Sequence, residues 1–215
     1  MDAGTLYLRL NAWGVFVVDP LIQSTVTFKV TDASPAHFAV YQSALMINQV
    51  APPDLARAVA QQYGTIPAPA DGDALERNWI DEGTYVQMSE RALDWQTAVS
   101  LFVYRQFKPD VLVLRLCAIE EAERELLLSD PRQWRYTPER VQTSARALRR
   151  AYELVDGALG RLLAELDLDT AALLVASDRG LMSVHTQLNL NRWLNERKWL
   201  TYQKDGVDLT KSKAL

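Results

Sequence analysis

Two short apolar runs do most to limit what this chain can fold into: VLVLRL (111–116), which follows Pro109-Asp110, and AALLVAS (171–177). Each has the length and aliphatic content of a strand buried on both faces. Between them, EEAERELLLSD reads as a short helix, and Thr137-Pro138-Glu139 opens the longest helix. In that helix Val141, Ala145, Leu148, Tyr152, Val155, Leu159, Leu162 and Leu166 recur at alternating helical steps, which predicts one stripe facing a core. Gly157 and Gly160 weaken its second half by about 1 kcal/mol each relative to alanine, or else permit close packing against a sheet. NLNRWLNERKWL (189–200) predicts a further helix. Strand, helix, long helix, strand, loop, helix is an α/β order. In an open parallel sheet, functional groups gather at the carboxyl ends of strands. The acids there are Glu120 and Glu121 after the first run and Asp178 after the second.

The first half of the chain is less regular. Residues 4–13 can form a short helix that Gly14 would cap. VFVV (15–18) predicts a short buried strand closed by Asp19-Pro20, and STVTFKV (24–30) a strand or extended arm. Pro52-Pro53-Asp54 opens a helix through LARAVAQQY. Residues 64–74, rich in Gly, Pro, Ala and Asp, predict an exposed loop. Ser89 is a candidate N-cap for a helix over 89–107, and TYQKDGVDL reads as strand, turn and strand. No internal repeat is visible.

Composition excludes several classes. Hydrophobic residues are 48% and charged residues 23%, as in an ordinary globular protein. The net charge of −4 argues against a nucleic-acid binder, which needs a basic face. One cysteine, Cys117, rules out an intramolecular disulfide, and its apolar setting reads as a small buried hydrophobe. His37 and His185 are too few for a Cys/His zinc site. No apolar run reaches membrane-spanning length, and MDAGTLYLRLNAWG lacks the basic start of a signal peptide. The expectation is a cytoplasmic protein with no membrane partner. The six tryptophans form no stacking array and read as packing residues, with Trp193 anchoring the last helix beside Leu190, Leu194 and Leu200.

The strand ends carry a more specific signal. SDRG (177–180) followed by NLNRWLNERKWL, with PDVLVLRL, EEAER and SDPRQW (129–134) upstream, resembles the type I phosphodiesterase / nucleotide pyrophosphatase family of the alkaline phosphatase superfamily. The likeness is best over 109–200 and looser over 1–108. It implies a single partial α/β domain over 1–215: an alkaline-phosphatase-like sheet flanked by helices, with an incomplete core. It also implies a phosphate-ester or pyrophosphate substrate and two divalent metals, zinc being usual. One metal activates a Thr or Ser nucleophile, and the other holds the leaving oxygen.

The departures from the pattern define the expectations. The family has Ser-Asp-His-Gly where this chain has Asp178 followed by Arg179. It has an Asp and then a His four residues on, where this chain has Glu120 and Arg124. Asp178 and Glu120 are thus candidate remnants of a metal site, with Arg179, Arg124 and His185 as candidate site-lining residues. A guanidinium stays charged and offers only donors, so it cannot replace an imidazole ligand. It can pair with a carboxylate or hold a phosphate. No counterpart of the family's nucleophile is found in the opening residues, and DGVDLTKSKAL matches a segment that continues in the family, so the chain reads as an interior part of the fold. The resulting expectation is a phosphodiesterase-like domain, inactive by itself. The alternative is a non-catalytic anion-binding or protein-interaction module, with self-association or a partner completing the fold.

Overall fold

The computed structural model describes residues 6–19, 24–204 and 206–213. β-branched residues concentrate in the first part of the chain, and the main sheet forms there. Strands β1 (Trp13–Asp19), β2 (Ser24–Ser34) and β3 (His37–Gln42) make an antiparallel meander in that order. Val15 lies opposite Thr27, and Val30 opposite Val40. Irregularities at Val17/Asp19 and at Val30/Asp32 shift the register. β2 is central and buried along most of its length, whereas Val15, Val17 and Val18 of β1 are exposed. The run 15–18 is therefore a strand, as expected, but one with an open face. Residues 6–12 are not helical, and residues 1–5 lie outside the described chain. Gly14 is within β1 rather than capping a helix, and an added Cβ there would collide with Leu8 Cδ2 at 2.3 Å.

Helices supply the rest of the core. They are α1 (Pro53–Tyr63), α2 (Gly72–Glu76), α3 (Glu82–Phe107), α4 (Ala118–Leu126), α5 (Pro138–Leu163) and α6 (Leu190–Glu196). Asp81, not Ser89, caps α3: its carboxylate accepts from Thr84 N at 2.7 Å, and Ser89 is buried about two turns further in. The loop 64–74 is not wholly exposed, since Ala68 and Ala74 are buried and α2 begins within it. Thr137 caps α5, and both α3 and α5 run for 26 residues. The buried stripe of α5 is Ser144, Ala147, Ala151, Val155 and Ala158; of the residues that the periodicity picks out, Val155 is buried and Leu148 and Leu159 are partly buried against the core clusters. Small side chains let α3 and α4 approach closely, and the large residues flank the contact. Gly157 and Gly160 make no close approach, because nothing lies within 4 Å of a Cβ added at either.

One core cluster joins Tyr41 of β3, Leu75, Ile80, Tyr85, Met88, Leu126 and Ala151. A second joins Leu93, Ala118, Val155 and Ala158, with Leu116 packed against it. Lys29 of β2 is buried, and its ammonium donates to Thr84 Oγ1 and Gln87 Oε1 of α3, each at 2.8 Å. Burial lowers its pKa, against the opposing pull of Asp81.

The fold is mixed α/β, as the sequence implies, but the sheet lies elsewhere. Neither 111–116 nor 171–177 forms a ladder. Both runs have the composition of strands, yet strand formation needs a hydrogen-bonding neighbour, and propensity alone does not provide one. Residues 189–200 form only the short α6, capped by Asn189; Trp193 packs edge-on against Trp199, and Arg197 covers the Trp193 ring at 3.9 Å. Tyr202–Gln203 and Gly206–Val207 pair as a small antiparallel hairpin, β4 and β5.

Candidate functional site

Helix α4 starts where the first apolar run ends, with Cys117 at its N-cap. Glu120 and Arg124 fall one turn apart on it, the spacing at which side chains meet. Arg124 Nη2 donates to Glu120 Oε1 at 2.8 Å, and Arg115 Nη2 donates to Glu120 Oε2 at 3.3 Å. Both oxygens of the carboxylate thus face a guanidinium. Cys117 is half-buried rather than fully so, and burial pushes its thiol pKa up. Glu121, also half-buried, has its carboxyl raised by the same cause.

The second acid is handled in the same way. Residues 177–180 are irregular, and Ser177 Oγ donates to the Arg179 carbonyl at 2.6 Å, turning the chain. Arg179 then folds back on its neighbour: Nε reaches both Asp178 oxygens at 3.2 Å, and Nη2 reaches Oδ2 at 2.7 Å. That pairing holds the Asp178 carboxyl below the usual carboxylate range. Arg115 adds to the effect on Asp178, and Glu120 interacts favourably with Arg179. The two ion-paired groups, Glu120 with Arg115 and Arg124 and Asp178 with Arg179, thus lie within electrostatic reach of each other but share no ion-pair contact among the described residues.

His185 stands apart from those pairs. It is exposed, with Nδ1 2.7 Å from Thr186 Oγ1, and its charge interaction is with Asp130. Asp130 is itself pulled well down, chiefly by hydrogen bonds from Arg132, one of them at 2.6 Å. Ser129 and Ser183 meet hydroxyl to hydroxyl, which joins the SDPRQW loop to the loop after Asp178.

Arg115 is the partner of Glu120 that the sequence reading missed. The available signal was its position as the one charged residue in VLVLRL, one step from the strand end. A cleft of about 530 Å³ between α3 and α5 contains none of these residues; it is lined by Asp81, Glu82, Glu90, Arg146 and Arg150 among others. There, Glu90 is already paired with Arg150 at 3.0 Å.

The donor set does not fit a pair of divalent ions. Among the described residues no group of three or more His, Cys, Asp or Glu side chains is placed to hold a metal. Glu120 is paired with two guanidinium groups and Asp178 with one, and their positive charge repels a cation.

A family model described as "Type I phosphodiesterase / nucleotide pyrophosphatase" matches residues 11–214. The chain belongs to that family, a member of the alkaline phosphatase superfamily whose enzymes are generally metal-dependent and act on phosphate esters. Comparison with curated proteins and with solved structures gave no match. No helix among the described residues is long and apolar enough to cross a membrane.

Proposed function

We propose that this chain keeps the phosphodiesterase family's fold but does not hydrolyse phosphodiesters by the two-metal route. The observation that supports this reading is the occupation of both acids by arginine: Arg124 and Arg115 on Glu120, and Arg179 on Asp178. In the family mechanism the metals supply the positive charge that polarises phosphorus and activates the nucleophile. Here fixed guanidinium charge takes the same place. It can stabilise an anion but cannot lower the pKa of a bound hydroxyl by coordination. The test is zinc titration by calorimetry of the chain and of the double variant Arg124→His with Arg179→His. The expected result is no stoichiometric zinc binding to the unaltered chain. Micromolar binding that disappears on Asp178→Ala would overturn the reading.

A second reading is binding of an anion without turnover. It is favoured by the presence of three guanidinium groups around two carboxylates, since planar forks suit bidentate contacts to phosphate or carboxylate oxygens.

A further inference from the structure

Helices α3 and α5 pack against each other and are tied by ion pairs that climb both together. Glu82 pairs with Arg140 at 3.7 Å, Glu90 with Arg150 at 3.0 Å and Asp94 with Arg161 at 2.8 Å. The series is interrupted between its first two pairs. There α5 presents Arg146 to the cleft, but the α3 residues that line it are Val86 and Gln87, and neither is an acid. Asp81, the other acid of the cleft, is engaged elsewhere: it caps α3 through Thr84 N and faces the charge of Lys29. Each acid of the cleft therefore has its cation, in Lys29, Arg140 or Arg150. Arg146 is exposed and makes no hydrogen bond or ion pair among the described residues. The guanidinium is left over from an otherwise balanced set.

The cleft, of about 530 Å³, has the volume of a small-molecule site. Val86 and Ala147 are buried side chains that close its floor. Gln87 adds a polar group of fixed direction. Its Oε1 accepts from Lys29 Nζ at 2.8 Å and from Trp13 Nε1 at 3.2 Å. The amide is thus anchored by its oxygen, and among the described residues no acceptor engages the two N–H groups of Nε2.

We infer that this cleft binds a small organic monocarboxylate. Its carboxylate pairs with Arg146 and takes an N–H from Gln87, and its apolar body lies over Val86 and Ala147. A guanidinium presents two parallel donors that match the two oxygens of a carboxylate. The ligand carries one negative charge rather than two because Asp81, Glu82 and Glu90 line the same cleft, and their carboxylates repel the second charge of a phosphate dianion. The cleft shares no residue with the Glu120 and Asp178 pairs, so this inference does not depend on whether the chain hydrolyses phosphodiesters.

The test follows the backbone amide shifts of Val86, Gln87 and Ala147 by NMR as benzoate is added to the full chain. Benzamide serves as the uncharged probe of the same shape, and phenylphosphonate at mildly alkaline pH as the dianion. The expected result is saturable shifts at these three residues with benzoate, and binding roughly tenfold weaker with either of the other probes. Arg146→Gln should weaken benzoate by roughly tenfold while leaving the circular dichroism spectrum and melting temperature unchanged, since the side chain supports no contact of the core. Arg149→Gln, at an exposed arginine that pairs with Glu153 outside the cleft, should leave the affinity for benzoate as it is. Four results would overturn the inference. One is the lack of any saturable shift with benzoate in large excess. Another is equal affinity in Arg146→Gln and the unaltered chain. A third is equal weakening by Arg149→Gln, which would reveal only the general charge of α5. The last is phenylphosphonate binding as tightly as benzoate.

Discussion

At the scale of single residues, the site is defined by arginines that pair with the neighbouring acids. Arg179 forms three contacts with Asp178, and those contacts keep its carboxyl ionised to lower pH than usual. A neighbouring positive charge favours the ionised form, so removing it must raise the pKa. Arg179→Gln should therefore shift the Asp178 carboxyl titration upward, toward the ordinary aspartate range, in a carbon-detected NMR titration. A carboxyl that titrated at the same pH in both proteins would show that the pairing is not maintained in solution. Both acids are outside the deep core, so these pairs add little stability: an exposed i,i+4 pair contributes roughly 0.3–0.5 kcal/mol. Their importance is chemical. Motif spacing in the sequence singled out Asp178, Glu120, Arg124 and Arg179, and the structure pairs Glu120 with Arg124 and Asp178 with Arg179. Arg115 was not singled out, because nothing in a linear run shows that its side chain will reach Glu120 across the start of a helix.

Among the elements, helix caps and periodicities were the legible part. Thr137, followed by Pro138 and Glu139, was identified as the start of α5, and its hydroxyl accepts from Arg140 N at 3.1 Å. Replacing such a cap by alanine costs about 1 kcal/mol. Thr137→Ala should accordingly lower the melting temperature by roughly 2–4 °C for a chain of this size. An unchanged melting curve would mean that the first turn of α5 is held by tertiary contacts instead. The face of α5 was read in part, since Val155 is buried and Leu148 and Leu159 pack against the core clusters, and the reason for the rest is physical. Its periodicity marks the large apolar residues, whereas the tight contact with α3 and α4 is made by Ser144, Ala147, Ala151 and Ala158, which hydrophobicity ranks low. Position Ser89 was misread for a similar reason. A serine suits a cap, but Asp81 caps the helix about two turns earlier and the helix runs on through Ser89.

For the whole molecule, the limit of the sequence was pairing. Composition identified strands at 111–116 and 171–177, but a strand is a relation between two segments, and neither run finds its neighbour. The organised core instead joins β3 to α2, α3, α4 and α5 around Leu75, Tyr85 and Leu126. Leu126 is almost fully buried, and truncating such a leucine leaves a cavity costing about 2–5 kcal/mol. Leu126→Ala should show that loss in urea denaturation, whereas a loss below about 1 kcal/mol would place the core elsewhere.

The central claim is that arginine, not metal, supplies the positive charge beside both acids. Its most direct test is hydrolysis of bis(p-nitrophenyl) phosphate by the purified chain with zinc, compared with Asp178→Ala under the same conditions. The expected result is that both proteins release nitrophenol no faster than a zinc blank. Turnover by the unaltered chain that disappears with Asp178→Ala would contradict the account.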